Sequence, residues 1–199
     1  LPALMQALRE VLTNRVVVIA MLAQTFCFAA LFGTLSSTQQ IFDTTFSRAD
    51  SFPFWFALIA ILSGSASVIN ATLVVRLGMR LLISATLGVQ VLLSLCFALI
   101  AASGALPEAI YFGVYVFWTV TVFMVAGLTL GNLNALALEP VGHIAGMAAS
   151  VTGSLATVVA VAIAAPLGLA FDGTPVPLAI GVCVLTAVGF ALMKIMPGR

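Results

Sequence analysis

The chain has 199 residues, of which 63% are hydrophobic and 7% are charged, and its formal net charge is +1. Soluble domains usually carry about 25% charged residues, so this composition excludes an ordinary water-soluble domain. The near-zero net charge also gives no reason to expect a nucleic-acid partner. A helical membrane crossing needs roughly 20 apolar residues, and runs of that length nearly fill the chain. The lipid bilayer is therefore the expected surrounding.

Six apolar runs predict an all-α membrane protein with six transmembrane helices, because backbone groups in hydrocarbon must bond within the chain. A membrane-spanning barrel would instead alternate in polarity over segments of about 10 residues. The predicted helices cover, in chain order, residues 16–38, 52–75, 81–103, 109–133, 141–171 and 176–196. Residues 1–15 are interpreted as the tail of a cytoplasmic linker, and residues 16–199 as one six-helix bundle.

The basic residues fall on one side when the connections are assigned alternately to the two sides. That side holds Arg9, Arg15, Arg76, Arg80, Lys194 and Arg199. The other side holds Arg48 together with Asp43, Asp50, Glu108 and Asp172. Because basic residues are retained on the cytoplasmic side of a membrane, both termini are predicted to be cytoplasmic. The expected location is the plasma membrane, that is, a bacterial inner membrane.

The middle of each predicted span lacks Asp, Glu, Lys and Arg, the residues that mark proton relays and ion paths inside membranes. His143 lies in the first turn of the predicted fifth helix, where a solvated interfacial side chain is expected. Cys27, Cys96 and Cys183 are widely separated, so we interpret them as small core residues rather than a disulfide or metal set. No catalytic set, metal site or cofactor site is recognisable, and an enzyme is not expected.

Neutral polar side chains concentrate on the first, second, fourth and fifth helices, while the sixth has only Cys183 and Thr186. This distribution favours a wet cavity bordered by those four helices, with the sixth as a lipid-facing support. The alternative is that the polar groups bond only to other helices. The candidate substrate-cavity residues are Gln24, Phe28, Asn70, Trp118, Asn132, Asn134 and Thr157.

Aromatic residues suggest two roles. Tyr111 and Tyr115 lie where an interfacial aromatic belt is expected, and the phenylalanines of the first helix, Phe28 among them, would pack towards lipid. The alternative is that these rings, with Trp118, form an aromatic wall for an amphipathic ligand.

Small residues recur every fourth position at the start of the fifth helix, at Gly142, Gly146, Ser150 and Ser154. Such a stripe lets another helix approach closely. The centre of the second helix, Ser63-Gly64-Ser65, is echoed at the centre of the fifth by Thr152-Gly153-Ser154. Glycine-interrupted helices at matching places in two inverted halves are typical of transporters.

Two segments resemble a known family. The turn Arg76-Leu77-Gly78-Met79-Arg80 resembles the R-x-G-x-R end of the signature loop of the major facilitator superfamily, which lies between the second and third helices of a six-helix half. Val75 and Ala71 stand where that signature prefers an acid and a glycine. Residues 134–150, with Pro140, Gly142 and His143 at their centre, look like the junction of the fourth and fifth helices in C-terminal halves of the bicyclomycin/chloramphenicol-resistance (Bcr/CflA-type) transporters. Residues 51–58 are similar to them more loosely.

The resemblance implies one half, a 3+3 inverted repeat, of a carrier that exports drugs against protons. The expected partners are an N-terminal six-helix half that is missing here, a small amphipathic substrate, and protons that pass through the missing half. The alternatives are a self-contained six-helix protein that acts as a homodimeric transporter or channel, and an accessory subunit without transport of its own.

Overall fold

The computed structural model describes residues 2–197, with the side chains of residues 8–197, and the regular structure of that part of the chain is entirely helical. The all-α prediction is therefore confirmed. The helices are α1 (Pro2–Thr13), α2 (Arg15–Gln40), α3 (Phe52–Leu77), α4 (Met79–Ser103), α5 (Glu108–Leu138), α6 (Ala145–Leu169) and α7 (Val176–Ile195). Three shorter turns join them: a π turn at Ile41–Thr45 and 3-10 turns at Ala49–Ser51 and Glu139–Ile144. Arg199, which contributes to the predicted charge bias, lies outside the described residues.

Five helical stretches in the described chain are long and apolar enough to cross a membrane. The longest, Glu108–Leu169, has 62 residues and contains both α5 and α6. Since one crossing needs roughly 20 residues, this stretch is long enough for two. Its regularity breaks at Val141, where φ is −122° and ψ is 31°. These findings support a membrane protein, while the count of six crossings and the orientation of the termini stay predictions.

The predicted helix boundaries differ from the observed ones at several ends, and most at the end of α5, which reaches Leu138 where residue 133 was predicted. The first helix extends to Gln40 and then continues as the π turn, where an end at residue 38 was predicted. The predicted fifth helix begins later than expected, at Ala145 instead of residue 141, because Glu139–Ile144 forms a tighter 3-10 turn. Pro140 lacks the N–H that a continuous helix would need, and Val141 leaves helical geometry directly after it.

Residues 1–15, predicted to be a linker tail, contain helix α1 over Pro2–Thr13. Val11 of this helix is fully buried and belongs to the core formed with Val17, Leu133 and Val141. Asn14, between α1 and α2, caps α2: its side-chain oxygen accepts hydrogen bonds from the backbone N–H groups of residues 16 and 17, at 3.0 and 3.3 Å. Satisfying the free N–H groups in this way stabilises the start of α2.

The packing of the long helices has an approximate twofold pattern. Helices α2 and α5 lie against each other at the centre. Helix α6 packs along α2, and α3 packs along α5; in the same way α7 packs on α2, and α4 packs on α5. Helices α4 and α7 complete the pattern by packing on each other. Exchange of the triplet α2–α3–α4 for the triplet α5–α6–α7 therefore reproduces the main helix contacts.

Candidate functional site

The two cavity candidates on α2 lie one turn apart. Gln24 is 6% exposed, and its side-chain carbonyl oxygen is buried without a hydrogen-bond partner among the described residues. Phe28 is half-buried, and its ring stacks on that of Phe32 with the centroids 5.6 Å apart. A buried amide oxygen without a partner is costly in an apolar medium, so Gln24 is a group that can gain from a bound donor.

Two further candidates contact each other directly. The Asn132 amide on α5 donates a hydrogen bond to the Asn70 side-chain oxygen on α3, at 2.6 Å, and a second to the backbone oxygen of Leu128, at 2.9 Å. Asn132 is buried and Asn70 half-buried. Two of the predicted cavity residues therefore hold α3 against α5. Asn134, two residues later, is half-buried.

Trp118 lies in the packed core between α4 and α5, and not on an open surface. It is 2% exposed, and its ring stacks on that of Phe97 at 4.7 Å. The indole N–H donates to the Ser94 hydroxyl at 3.1 Å, and the Gln90 amide donates to the same oxygen at 3.1 Å. Its ring borders a hollow of about 140 Å³ between α4 and α5, and its place in a cavity shared with the other candidate residues stays a prediction.

Thr157 on α6 is exposed, and its hydroxyl donates to the backbone oxygen of Gly153 at 2.8 Å. It is separate from the Asn70–Asn132 pair, which joins α3 to α5. The structure thus brings two of the seven candidates into contact and distributes the others over α2, α5 and α6.

Of the predicted small-residue stripe, Gly146, Ser150 and Ser154 lie on α6, and Gly142 lies in the 3-10 turn before it; all four positions are open within this chain. A Cβ atom added at Gly142 or Gly146 would have no other residue's atom within 4 Å. Ser150 and Ser154 are exposed. The face that packs on α2 is a different one. Its buried members recur every fourth residue: Ala148, Thr152, Ala156, Ala160 and Ala164. Close approach of another helix to the Gly142–Ser154 stripe stays a prediction.

The turn between α3 and α4 depends on Gly78. Its φ of +78° and ψ of 156° are available almost only to glycine, so the chain can reverse in a single residue. Arg76 is exposed at the end of α3. Arg80 is half-buried, and one of its terminal nitrogens donates to the backbone oxygen of Pro197. The predicted signature-loop residues thus form a tight basic turn that is held to the end of the described chain.

His143 has a partner that the sequence did not suggest. Its Nε2 atom lies 3.1 Å from the Glu10 carboxylate of α1. Both side chains are substantially exposed, which agrees with the expected solvated position of the imidazole. The contact links α1 to the 3-10 turn before α6.

The opposite end of the bundle holds an aromatic cluster that sequence reasoning missed. Phe42 contacts the rings of Phe112 and Tyr115 with centroids 5.4 and 5.9 Å apart, and Phe46 lies 5.3 Å from Tyr115. Tyr115 is fully buried, so its predicted place in an interfacial belt is wrong. The π turn at Ile41–Thr45 turns Phe42 and Phe46 inward, and such a local irregularity is not visible in the composition.

Arg48 covers this cluster. The guanidinium carbon lies 4.5 Å from the centre of the Phe112 ring, a distance at which a cation is attracted by the ring face. Nearby, the Thr45 hydroxyl donates to the backbone oxygen of Gly173 at 2.8 Å and connects the π turn to the α6–α7 turn. In that turn the Thr174 hydroxyl and N–H both donate to the Asp172 carboxylate, which lowers the pKa of Asp172.

A polar groove opens beside the same end of α2. It has a volume of about 330 Å³ and is lined by Ser36, Gln39, Gln40, Asp43 and Ala49. Hydroxyl, amide and carboxylate groups in this groove can bind polar or cationic groups by hydrogen bonds.

Comparison of the chain with protein-family models, curated proteins and solved structures found no match. The resemblance to the major facilitator superfamily therefore rests on the residues described above.

Proposed function

We propose that this chain is the C-terminal half of a proton-driven efflux carrier for small amphipathic compounds, built on the major facilitator plan and working by alternating access. The single observation that supports this proposal most is the approximate twofold packing of the two three-helix units. Secondary transporters built from inverted repeats place their substrate between such units and move one bundle against another.

The exposure of α3 and α6 agrees with this proposal. Within α3, Ile59 and Ala66 are buried and the rest of the helix is at least partly exposed. Its exposed residues include Ser65, Ser67 and Thr72, which are more polar than a purely lipid-facing helix requires. On α6 the exposed positions include Ser150, Ser154 and Thr157. The open faces of these two helices carry these polar side chains among apolar ones such as Ile61 and Val158, a mixture suited to border a second six-helix half and a shared wet cavity.

Drug accumulation tests the proposal. The full-length native polypeptide would be expressed in bacterial cells that lack their principal drug exporters, and cell-associated chloramphenicol would be measured with and without a protonophore. We expect expression to lower accumulation, and the protonophore to abolish that effect. Unchanged accumulation of chloramphenicol and of a cationic dye such as ethidium would contradict the proposal.

Two variants connect the activity to the candidate residues. Gln24→Ala removes the buried amide oxygen that has no hydrogen-bond partner among the described residues, and Asn134→Ala removes a half-buried amide on α5. Both are expected to reduce export at equal protein level. The matched control is Thr186→Ala on α7, whose buried hydroxyl donates to its own helix at Val182, at 2.8 Å; its export should stay normal. Normal export in both test variants would remove Gln24 and Asn134 from the proposed cavity.

The second candidate is a self-contained homodimer, and it is favoured by the same open faces of α3 and α6. The intact mass of the native polypeptide, purified from its source membrane, separates the two. A mass near 20.6 kDa would support the homodimer, and a mass near twice that value would support a fused half.

A further inference from the structure

A gap lies between α3 and α4 on the outside of the bundle. Both helices pack along α5, but they have few contacts with each other after they leave the Gly78 turn. The result is a groove of about 310 Å³ with α5 as its floor. Its lining includes Leu73 on α3, Ala85, Val89 and Leu93 on α4, and Met124 and Leu128 on α5.

The groove presents mainly hydrocarbon, and two of its three polar side chains, Gln90 and Thr121, bond to the protein, the third being Thr86. The Thr121 hydroxyl donates to the backbone oxygen of Trp118 at 2.7 Å, and the Gln90 amide donates to the Ser94 hydroxyl at 3.1 Å. Satisfied groups of this kind do not compete for a polar ligand. The groove is therefore suited to bind an apolar group.

One end of the groove is basic. At Leu77 it meets a second hollow, of about 490 Å³, which is lined by Leu77, Gly78, Met79, Arg80, Leu81, Leu136 and Glu139. Arg80 is held in this wall by its hydrogen bond to the Pro197 backbone oxygen, and the exposed Arg76 lies on the adjoining last turn of α3. Arg76 and Arg80 therefore flank Gly78 at the mouth of an apolar groove. Their positive charge complements a ligand with an anionic head, although the wall of the hollow also contains the Glu139 carboxylate.

The length of the groove matches one leaflet. On α4 it extends from Leu82 to Leu93, and at 1.5 Å per residue this corresponds to about 16 Å. The hydrocarbon core of a bilayer is about 30 Å thick, so the groove reaches from one interface to about the membrane midplane. A single acyl chain of a lipid in that leaflet has this reach.

We propose that this groove binds an anionic phospholipid, with one acyl chain between α3 and α4 and the phosphate at Arg76 and Arg80. Guanidinium groups bind phosphate oxygens through paired hydrogen bonds, and basic residues at a membrane surface attract anionic lipids. The inference requires only that the chain is a membrane protein and does not depend on transport. It can therefore fail or succeed separately from the proposed efflux function.

Native mass spectrometry of the full-length polypeptide in neutral detergent tests the site. The protein would be titrated with phosphatidylglycerol and with phosphatidylcholine that carries the same acyl chains. We expect phosphatidylglycerol to bind more tightly, by about fivefold for each contributing arginine. The exposed Arg76→Gln variant should lose about fivefold of this preference, and adding Arg80→Gln should remove most of the remainder.

A variant pair tests the position of the acyl chain. Ala85→Phe adds a ring inside the groove and should weaken the tightest binding of both lipids. Ala102→Phe makes the same change on the same helix at an exposed position outside the groove, and binding should stay unchanged. Equal affinities for the two lipids in the wild-type protein, or undiminished binding in Ala85→Phe, would overturn the proposal. Competition by glycerol phosphate as strong as by phosphatidylglycerol would also overturn it, because it would indicate a site for a free phosphate compound.

Discussion

The seam between α6 and α2 differs in chemistry from the seam between α3 and α5, although the two occupy equivalent places in the twofold packing. On α6 the buried residues form one continuous row of small side chains, from Ala148 to Ala164 at every fourth position. On α3 the structure buries Ile59 and Ala66, and the Asn70–Asn132 hydrogen bond adds a polar anchor.

The difference indicates two ways to hold a helix in lipid. Without a hydrophobic driving force between helices, association depends on close packing and on interhelical hydrogen bonds. The α6 seam uses the first along most of its length. The α3 seam combines a close approach, where a side chain at Gly127 would begin 2.8 Å from the Ala66 Cβ atom, with the interhelical hydrogen bond. It also has two aromatic contacts, Trp55–Phe112 and Phe56–Phe123, with ring centroids 4.9 and 6.0 Å apart. We expect the α6 seam to be the more sensitive to added bulk.

The largest effect is expected for Ala160→Leu in the α6 row. Ala160 is fully buried against the bundle, so three added carbon atoms must displace α2 or α6. Overpacking of this kind costs about 1–3 kcal/mol. Thermal unfolding of the purified full-length protein in detergent, followed by size-exclusion chromatography, would measure the loss. The control is Val161→Leu at the neighbouring position, which is 53% exposed; an equal loss in both variants would contradict the assignment of the packing face.

A smaller effect is expected for Gly127→Ala at the α3 seam. The added methyl would meet Ala66, while alanine favours the helix by about 0.5–1 kcal/mol relative to glycine. We expect a net loss of about 1 kcal/mol, because the gain offsets part of the overpacking cost. The second change Ala66→Gly should restore much of the stability by removing the opposing methyl. If the double variant is as unstable as the sum of the two single variants, the contact does not limit the seam.

The existence of the helices could be predicted from the sequence, because continuous apolar runs in lipid leave the backbone little choice but helix. The packing face of α6 could not. Both Gly142–Ser154 and Ala148–Ala164 are rows of small residues with a four-residue period, and a helix that is apolar on all sides has no polar face to distinguish them. The choice is made by α2, which packs on the second row.

The candidate site was predictable in part for a similar reason. Asn70 and Asn132 could be selected because amides are costly in hydrocarbon and need partners, but their mutual contact joins residues 62 positions apart in sequence. The contact between Trp118 and Ser94 joins residues 24 positions apart, so the packing of this ring against α4 could not be predicted from α5 alone. The aromatic cluster around Tyr115 depends on the π turn after Gln40, which local apolar patterns do not indicate.

The smallest effect on the fold of this chain is expected for Gly146→Leu and Ser150→Leu. Both positions lie on the open stripe of α6, and the Ser150 hydroxyl donates only to the backbone oxygen of Gly146, at 3.0 Å. Surface changes away from packed contacts usually alter stability by less than about 0.5 kcal/mol. The same leucines would block a helix from outside this chain that approaches the stripe as closely as small residues allow.

These two variants therefore separate packing within the chain from packing against a second half. Stability in detergent and drug accumulation in cells would be measured on the same preparations, with Val158→Leu, an exposed position outside the stripe, as the control. We expect near-normal unfolding temperatures together with strongly reduced export in both stripe variants. Normal export would mean that no helix from outside this chain needs the stripe. A large loss of stability in Gly146→Leu would instead mean that a helix already packs on the stripe in the purified protein. The loss of export would then be a consequence of the lost stability.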